Sequence, residues 1–89
     1  MKTRELVIAN PRGLHAQTCA KIVNIASRFR CKVSVVVNGR RVSARNIVAV
    51  MLLTTSMGAT IRIEAEGPDE ARAMQQIAAL FRDGLGERR

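Results

Sequence analysis

One short stretch of this 89-residue chain carries the residue types that could do chemistry. His15, the only histidine, follows the turn residues Pro11 and Gly13, and a helical pattern begins directly after it. A helix N-terminus presents unpaired backbone N–H groups and the positive end of the helix dipole, so it attracts anions. A neutral imidazole there has a nucleophilic ring nitrogen. The stretch is therefore suited to holding a phosphoryl group.

A lone histidine in a small domain more often has no chemical role. The hypothesis of a phosphoryl site at His15 therefore depends on a further observation, a resemblance to a known family. The stretch resembles the active-site segment of the HPr family, the histidine-containing phosphocarriers of the bacterial phosphotransferase system. The matching residues are Pro11, Gly13, Leu14, His15, Ala16 and Ala20. The resemblance covers nearly the whole chain in length and element order, including the Gly-Pro-Asp-Glu-Ala sequence at 67–71. The last third resembles the nitrogen-related branch more than the sugar branch.

This resemblance implies a phosphoryl relay. His15 would accept a phosphoryl group on Nδ1 from Enzyme I, itself charged by phosphoenolpyruvate, and pass it to an EIIA-type protein. The chain has no nucleotide-binding loop, paired carboxylates or Ser/His/Asp arrangement, so we expect no cofactor and no independent turnover. His15, Cys19 and Cys31 lack the spacing of a zinc site, and we expect no metal.

The chain departs from the family pattern immediately after the His-Ala pair. Family members normally have Arg-Pro there, and this chain has Gln17 and Thr18. Replacing a charge-assisted arginine contact with a neutral amide costs about 1–3 kcal/mol. Arg12, three residues before the histidine, and Lys21, one turn beyond Gln17, are candidate replacement cations. Thr18 is a milder change, because proline near a helix start mainly pre-sets φ.

Four residues are therefore predicted to stabilise the phosphoryl group. Ala16, Gln17 and Thr18 would contribute their backbone N–H groups, and the Gln17 side chain would add a neutral contact. Arg12 would contribute its charge. Replacing Gln17 with arginine would show whether the missing charge limits transfer.

A second family feature lies around Asn46. Many relatives have a serine there that is phosphorylated for regulation; asparagine cannot accept a phosphoryl group, so this regulation is not expected. The resemblance places an apolar docking patch in the following residues, and we expect Ile47 and Met51 to be exposed partner contacts, with Lys21 among the surrounding basic residues. Val48 is expected in the core.

Composition indicates one globular domain spanning residues 1–89. Hydrophobic residues make up 47% of the chain and charged residues 25%, which argues against disorder. The apolar run before Asn10 is too short for a signal peptide, and no stretch reaches membrane-spanning length, so we expect a cytoplasmic monomer. Cys19 and Cys31 are expected to be reduced and buried, although the sequence leaves a disulfide or redox role open.

The net charge of +8 favours acidic partners, which include both protein surfaces and nucleic acid. The basic residues are spread along the chain and include Arg88 and Arg89 at its end. Nucleic-acid binding is one rival function, but the chain has no Trp or Tyr for stacking and no GxxG loop. A second rival is a carrier-like regulatory module that binds the same partners with weak or no phosphotransfer.

Hydrophobic periodicity predicts the order βαββαβα. Strands are expected at 3–9, 32–37, 40–43 and 60–66, with the Asn38-Gly39 turn joining the middle two. Helices are expected at 15–29 and 46–54 and after the Gly67–Glu70 start, with Gly84 as the C-cap of the last. The predicted buried stripes of the two long helices are Cys19, Ile22, Val23, Ala26 and Phe29, and Ala71, Met74, Ile77, Ala78 and Phe81.

This order predicts an α+β open-faced β-sandwich. A four-stranded antiparallel sheet would have three helices packed on one face and its other face in solvent. The same architecture is implied by the resemblance to the HPr family.

Overall fold

The computed structural model describes residues 1–53 and 55–86, and the predicted βαββαβα order is confirmed. The elements are β1 (Lys2–Val7), α1 (Ala16–Arg28), β2 (Lys32–Val37), β3 (Arg40–Ser43), α2 (Ile47–Met51), β4 (Thr60–Glu66) and α3 (Glu70–Arg82), followed by a 3-10 turn, Gly84–Gly86. Thr54, the predicted end of the second helix, and Arg88-Arg89 lie outside the described residues. In the described chain, no helix has the length and apolarity needed to cross a membrane.

The sheet has four antiparallel strands in the order β1-β4-β2-β3. The short basic strand β3 lies at one edge, where its charges discourage pairing with other chains. Asn38 and Gly39 both adopt positive φ, at 51° and 81°, which is the backbone that a tight two-residue hairpin requires. The open-faced sandwich is therefore the observed architecture.

The helices cover one face of the sheet, but two predicted stripes are shifted. In α1 the buried residues include Ile25, whereas Val23 and Phe29 are only half-buried. Phe29 follows the end of the helix, where no further turn carries it into the core. In α3, Ala73 is buried and Ala71 is exposed, because Ala71 lies at the margin of the stripe in the first turn.

The other face of the sheet is largely in solvent, as predicted, but two residues of the central strand β2 are buried there. Ser34 and Val36 point to that face and are only 6% and 7% exposed. Val36 is in register with Arg41, whose guanidinium binds the Glu64 carboxylate at 2.8 and 3.1 Å. Long charged side chains shield apolar surface with their aliphatic stems while their charges stay in water. This ion pair therefore forms part of the cover over β2.

Two side chains in the segment between β3 and α2 cap helix ends. Asn46 caps α2 as predicted, and its side-chain oxygen accepts a hydrogen bond from the Ala49 N–H at 3.1 Å. Arg45 caps the other end of α1, because its guanidinium donates to the carbonyls of Ala26, Phe29 and Cys31 at 2.8–3.3 Å. The position of α2 is thereby tied to the end of α1.

Candidate functional site

A tight turn over residues 10–13 sets the entry to α1. Asn10 is buried, and its side-chain amide donates to the Gly13 carbonyl at 2.8 Å, while the Gly13 N–H donates to the Asn10 carbonyl at 3.2 Å. Gly13 has a φ of +67°, and a Cβ atom there would lie 2.6 Å from the Thr55 carbonyl oxygen. The backbones of the turn and of the 55–56 segment therefore pack together in a way that only glycine permits.

His15, where the helix was predicted to start, is the N-cap residue of α1, which begins one residue later at Ala16. Its backbone is extended, with φ −137° and ψ −177°. Its N–H donates to the Thr18 hydroxyl at 2.9 Å, and its Nδ1 accepts from the Gln17 N–H at 3.3 Å, forming a reciprocal cap. An Nδ1 atom that accepts a hydrogen bond carries no proton, so the ring proton belongs on Nε2. The Nδ1 lone pair is thus directed at the helix N-terminus.

The three residues after His15 differ in what they expose. Ala16 and Gln17 are exposed, whereas Thr18 is completely buried. The Thr18 hydroxyl lies 3.3 Å from the Gly13 carbonyl and 3.1 Å from the His15 carbonyl, either of which can accept its proton. The side chain of Thr18 is therefore occupied within the fold, while backbone N–H groups remain at the surface of the helix start.

The two candidate cations occupy different places. Arg12 is exposed within the turn, three positions before the half-buried His15. Lys21 is half-buried, and its ammonium donates to the Leu85 carbonyl at 3.2 Å. Leu85 is itself fully buried in the turn that follows α3, a core position that the sequence reasoning missed. The Lys21 charge is therefore engaged with this C-terminal turn, a contact that does not favour its predicted cationic role at His15.

An exposed apolar surface lies on and after α2, which packs against α1. Ile47 and Met51 are 36% and 43% exposed, as predicted. Val48 is 61% exposed, so its predicted place in the core is wrong; Val50 is the helix residue that is fully buried. A five-residue helix offers the core only a narrow side, which Val50 fills.

Two further residues extend this surface that the sequence reasoning did not select. Leu52 and Met57 are 62% and 58% exposed. We define the apolar surface as Ile47, Val48, Met51, Leu52 and Met57. Met57 follows the 55–56 segment, whose backbone lies against Gly13 in the turn before His15. The sequence signal that could have identified Leu52 and Met57 was their apolar character close after the short helix.

Cys19 and Cys31 are both free and buried, as expected. Burial raises the pKa of both thiols, and the Asp69 carboxylate further raises the pKa of Cys31 while Arg45 lowers it. Raised pKa values disfavour the reactive thiolate near neutral pH. Among the residues that the structure describes, no three His, Cys, Asp or Glu side chains form a group able to hold a metal ion.

Comparison with known proteins agrees with this geometry. Residues 2–83 match the family described as the PTS HPr component phosphorylation site. The phosphocarrier protein HPr of Cupriavidus necator is 40% identical over 87 residues, covering 98% of both chains, and that of Treponema pallidum is 36% identical. The structure of HPr-C-His from Thermoanaerobacter tengcongensis superimposes with a TM-score of 0.94 at 34% identity, covering 100% of both chains. The chain therefore belongs to the HPr family of phosphocarrier proteins of the phosphotransferase system.

Proposed function

We propose that His15 accepts a phosphoryl group from Enzyme I and passes it to an EIIA-type protein. The observation that carries this proposal is the orientation of His15 Nδ1, whose lone pair faces the first N–H groups of α1. Backbone N–H groups at a helix start stabilise phosphate oxygens. The half-buried ring is reachable from solvent, so a donor protein can approach it.

The transfer step needs no base, because Nδ1 is unprotonated. Its lone pair forms a new N–P bond while the bond from phosphorus to the donor breaks, and that electron pair returns to the donor. Nε2 keeps its proton throughout. The developing charge on the phosphoryl oxygens is met by the N–H groups of Ala16, Gln17 and Thr18, with Arg12 as the nearest cation in sequence. Transfer to the acceptor is the reverse step with a different partner.

We assign docking of both partners to the apolar surface around α2. Ile47 and Met51, together with the more exposed Val48, present apolar side chains on a helix that packs against α1, the helix capped by His15. The net charge of +8 favours an acidic partner surface around this apolar centre. One surface serving the donor and the acceptor in turn is consistent with a relay that binds each partner briefly.

We place this relay in the cytoplasm, where two free thiols stay reduced. A monomer is the proposed working form, and sedimentation at micromolar concentration tests it. Solved relatives include an HPr dimer from Thermoanaerobacter tengcongensis and a domain-swapped dimer of Crh from Bacillus subtilis. The sugar or nitrogen branch is to be decided by which EIIA-type protein accepts the phosphoryl group.

The decisive experiment is transfer from phosphoenolpyruvate through purified Enzyme I, followed by intact-mass measurement. We expect an acid-labile gain of one phosphoryl group in the wild type and none in His15→Ala. A faster reaction of Gln17→Arg would show that the neutral residue limits the rate. Labelling of Gln17→Arg but not of the wild type would refute the relay and establish a regulatory binding module. Labelling of neither would remove the proposed function.

A further inference from the structure

The first turn of α1 includes the backbone N–H of residue 18, which is present because this residue is threonine and not proline. The first hydrogen bond of the helix runs from the Cys19 N–H to the His15 carbonyl at 2.8 Å, so the N–H groups before it have no partner within the helix. The Gln17 N–H reaches Nδ1, and the Thr18 N–H is directed at the same side chain in the reciprocal cap. A proline at this position would have no N–H.

The Thr18 side chain also holds His15 in place through hydrogen bonds. Its hydroxyl is completely buried, accepts from the His15 N–H at 2.9 Å, and donates to the Gly13 or His15 carbonyl. The Gly13 carbonyl is held in addition by the Asn10 side chain. The buried hydroxyl therefore joins the turn, the reactive residue and the helix start into one hydrogen-bonded unit.

We propose that Thr18 compensates for the absence of a positive charge at Gln17 by adding a backbone N–H donor for the phosphoryl group. Its N–H is a third donor beside those of Ala16 and Gln17, and its hydroxyl holds His15 so that the N–H groups of Gln17 and Thr18 point to the imidazole. A neutral side chain such as Gln17 makes weaker contacts to an anion than a guanidinium does. A preorganised amide supplies stabilisation without a charge. This inference rests on the proposed phosphorylation of His15.

Three substitutions separate the N–H from the hydroxyl. Thr18→Ser keeps both groups, Thr18→Val keeps the N–H and the shape but loses the hydroxyl, and Thr18→Pro loses both. Proline is tolerated in the first turn of a helix, where its missing N–H breaks no helical hydrogen bond. Each variant is also made with Gln17→Arg, which restores a charged donor. Circular dichroism and thermal unfolding show that each variant is folded.

Loading is done with phosphoramidate, a chemical phosphoryl donor, so that the test does not depend on Enzyme I. The readouts are the rate of phosphohistidine hydrolysis and the shift of the Thr18 amide proton on loading, measured by NMR. We expect Thr18→Ser to match the wild type, Thr18→Val to hydrolyse about 3-fold faster, and Thr18→Pro about 10-fold faster. With Gln17→Arg present, the effect of Thr18→Pro should fall to about 3-fold or less.

Several results would overturn the inference. Equal hydrolysis of Thr18→Val and Thr18→Pro would mean that the N–H contributes nothing, and so would an unmoved Thr18 amide proton in the loaded wild type. An undiminished Thr18→Pro effect beside Gln17→Arg would exclude compensation. If Thr18→Pro fails to fold, the amide shift and the Val–Ser comparison still decide the two roles. Loading by phosphoramidate but not by Enzyme I would refute the proposed relay alone.

Discussion

Gly13→Ala measures how closely the turn before His15 is packed. Gly13 has a φ of +67°, a conformation that costs an L-residue about 1–2 kcal/mol. An added Cβ would also lie 2.6 Å from the Thr55 carbonyl oxygen and 3.1 Å from the Ser56 Cα. Because both obstructing atoms belong to the backbone, the 55–56 segment would have to move. We expect the two effects together to lower the free energy of unfolding by about 2–4 kcal/mol.

Gly84→Ala is the matched control, since Gly84 has a φ of +63° and an added Cβ would meet nothing within 4 Å. It should lose only the conformational part, about 1–2 kcal/mol. Urea unfolding of the wild type and both variants gives the free energies, and thermal unfolding should place Gly13→Ala about 10–25 °C below the wild type. Equal losses in Gly13→Ala and Gly84→Ala would refute the close packing and leave conformation alone as the reason for glycine.

Three further changes test other parts of the molecule. Arg45→Ala removes three hydrogen bonds to carbonyls in the last turn of α1 and in the segment after it. It should lower the free energy of unfolding by about 1–3 kcal/mol in urea, and a change below about 0.5 kcal/mol would contradict the capping role. Val48→Ser changes an exposed residue, so it should leave the free energy of unfolding within about 0.5 kcal/mol of the wild type while raising the KM of Enzyme I for this carrier. The matched variant Val50→Ser changes a buried residue and should lower the free energy of unfolding by about 2 kcal/mol or more. The hydrogen bond from Arg41 lowers the pKa of Glu64 from 4.5, so the stability that this pair contributes above that pH is lost as the pH falls through the folded-state pKa. Glu64→Gln should therefore flatten the pH dependence of the free energy of unfolding between about pH 5 and pH 3. An unchanged slope would exclude this contribution.

The order of the elements could be predicted because each element depends on a local sequence pattern. Alternation in β4 and the Asn38-Gly39 turn specify their structures within a few neighbouring residues. Burial of Ser34 and Val36 could not be predicted in this way, since the side chains that cover them come from other strands. Leu85 was missed for the same reason, because only the packing of the C-terminal turn shows that it is buried.

The position of the candidate site was predictable, and its geometry was less so. His15 stands out as the only histidine after a turn, and the helix that follows places backbone donors beside it. The burial of the Thr18 hydroxyl and the engagement of Lys21 with Leu85 depend on the exact direction of each side chain. Val48 was wrongly expected in the core, because the sequence pattern cannot resolve which side of a one-turn helix faces inward.

The nitrogen proposed to bond phosphorus is also the cap of α1, and these two roles compete for one lone pair. Forming the N–P bond ends the hydrogen bond from the Gln17 N–H to Nδ1 and turns that donor toward phosphoryl oxygens. Loading therefore couples to the hydrogen-bonded state of the first helical turn. By thermodynamic linkage, a partner that contacts this turn binds the loaded and unloaded carrier with different affinities. The fold thus gives partners a way to distinguish a full carrier from an empty one at the reacting atom itself.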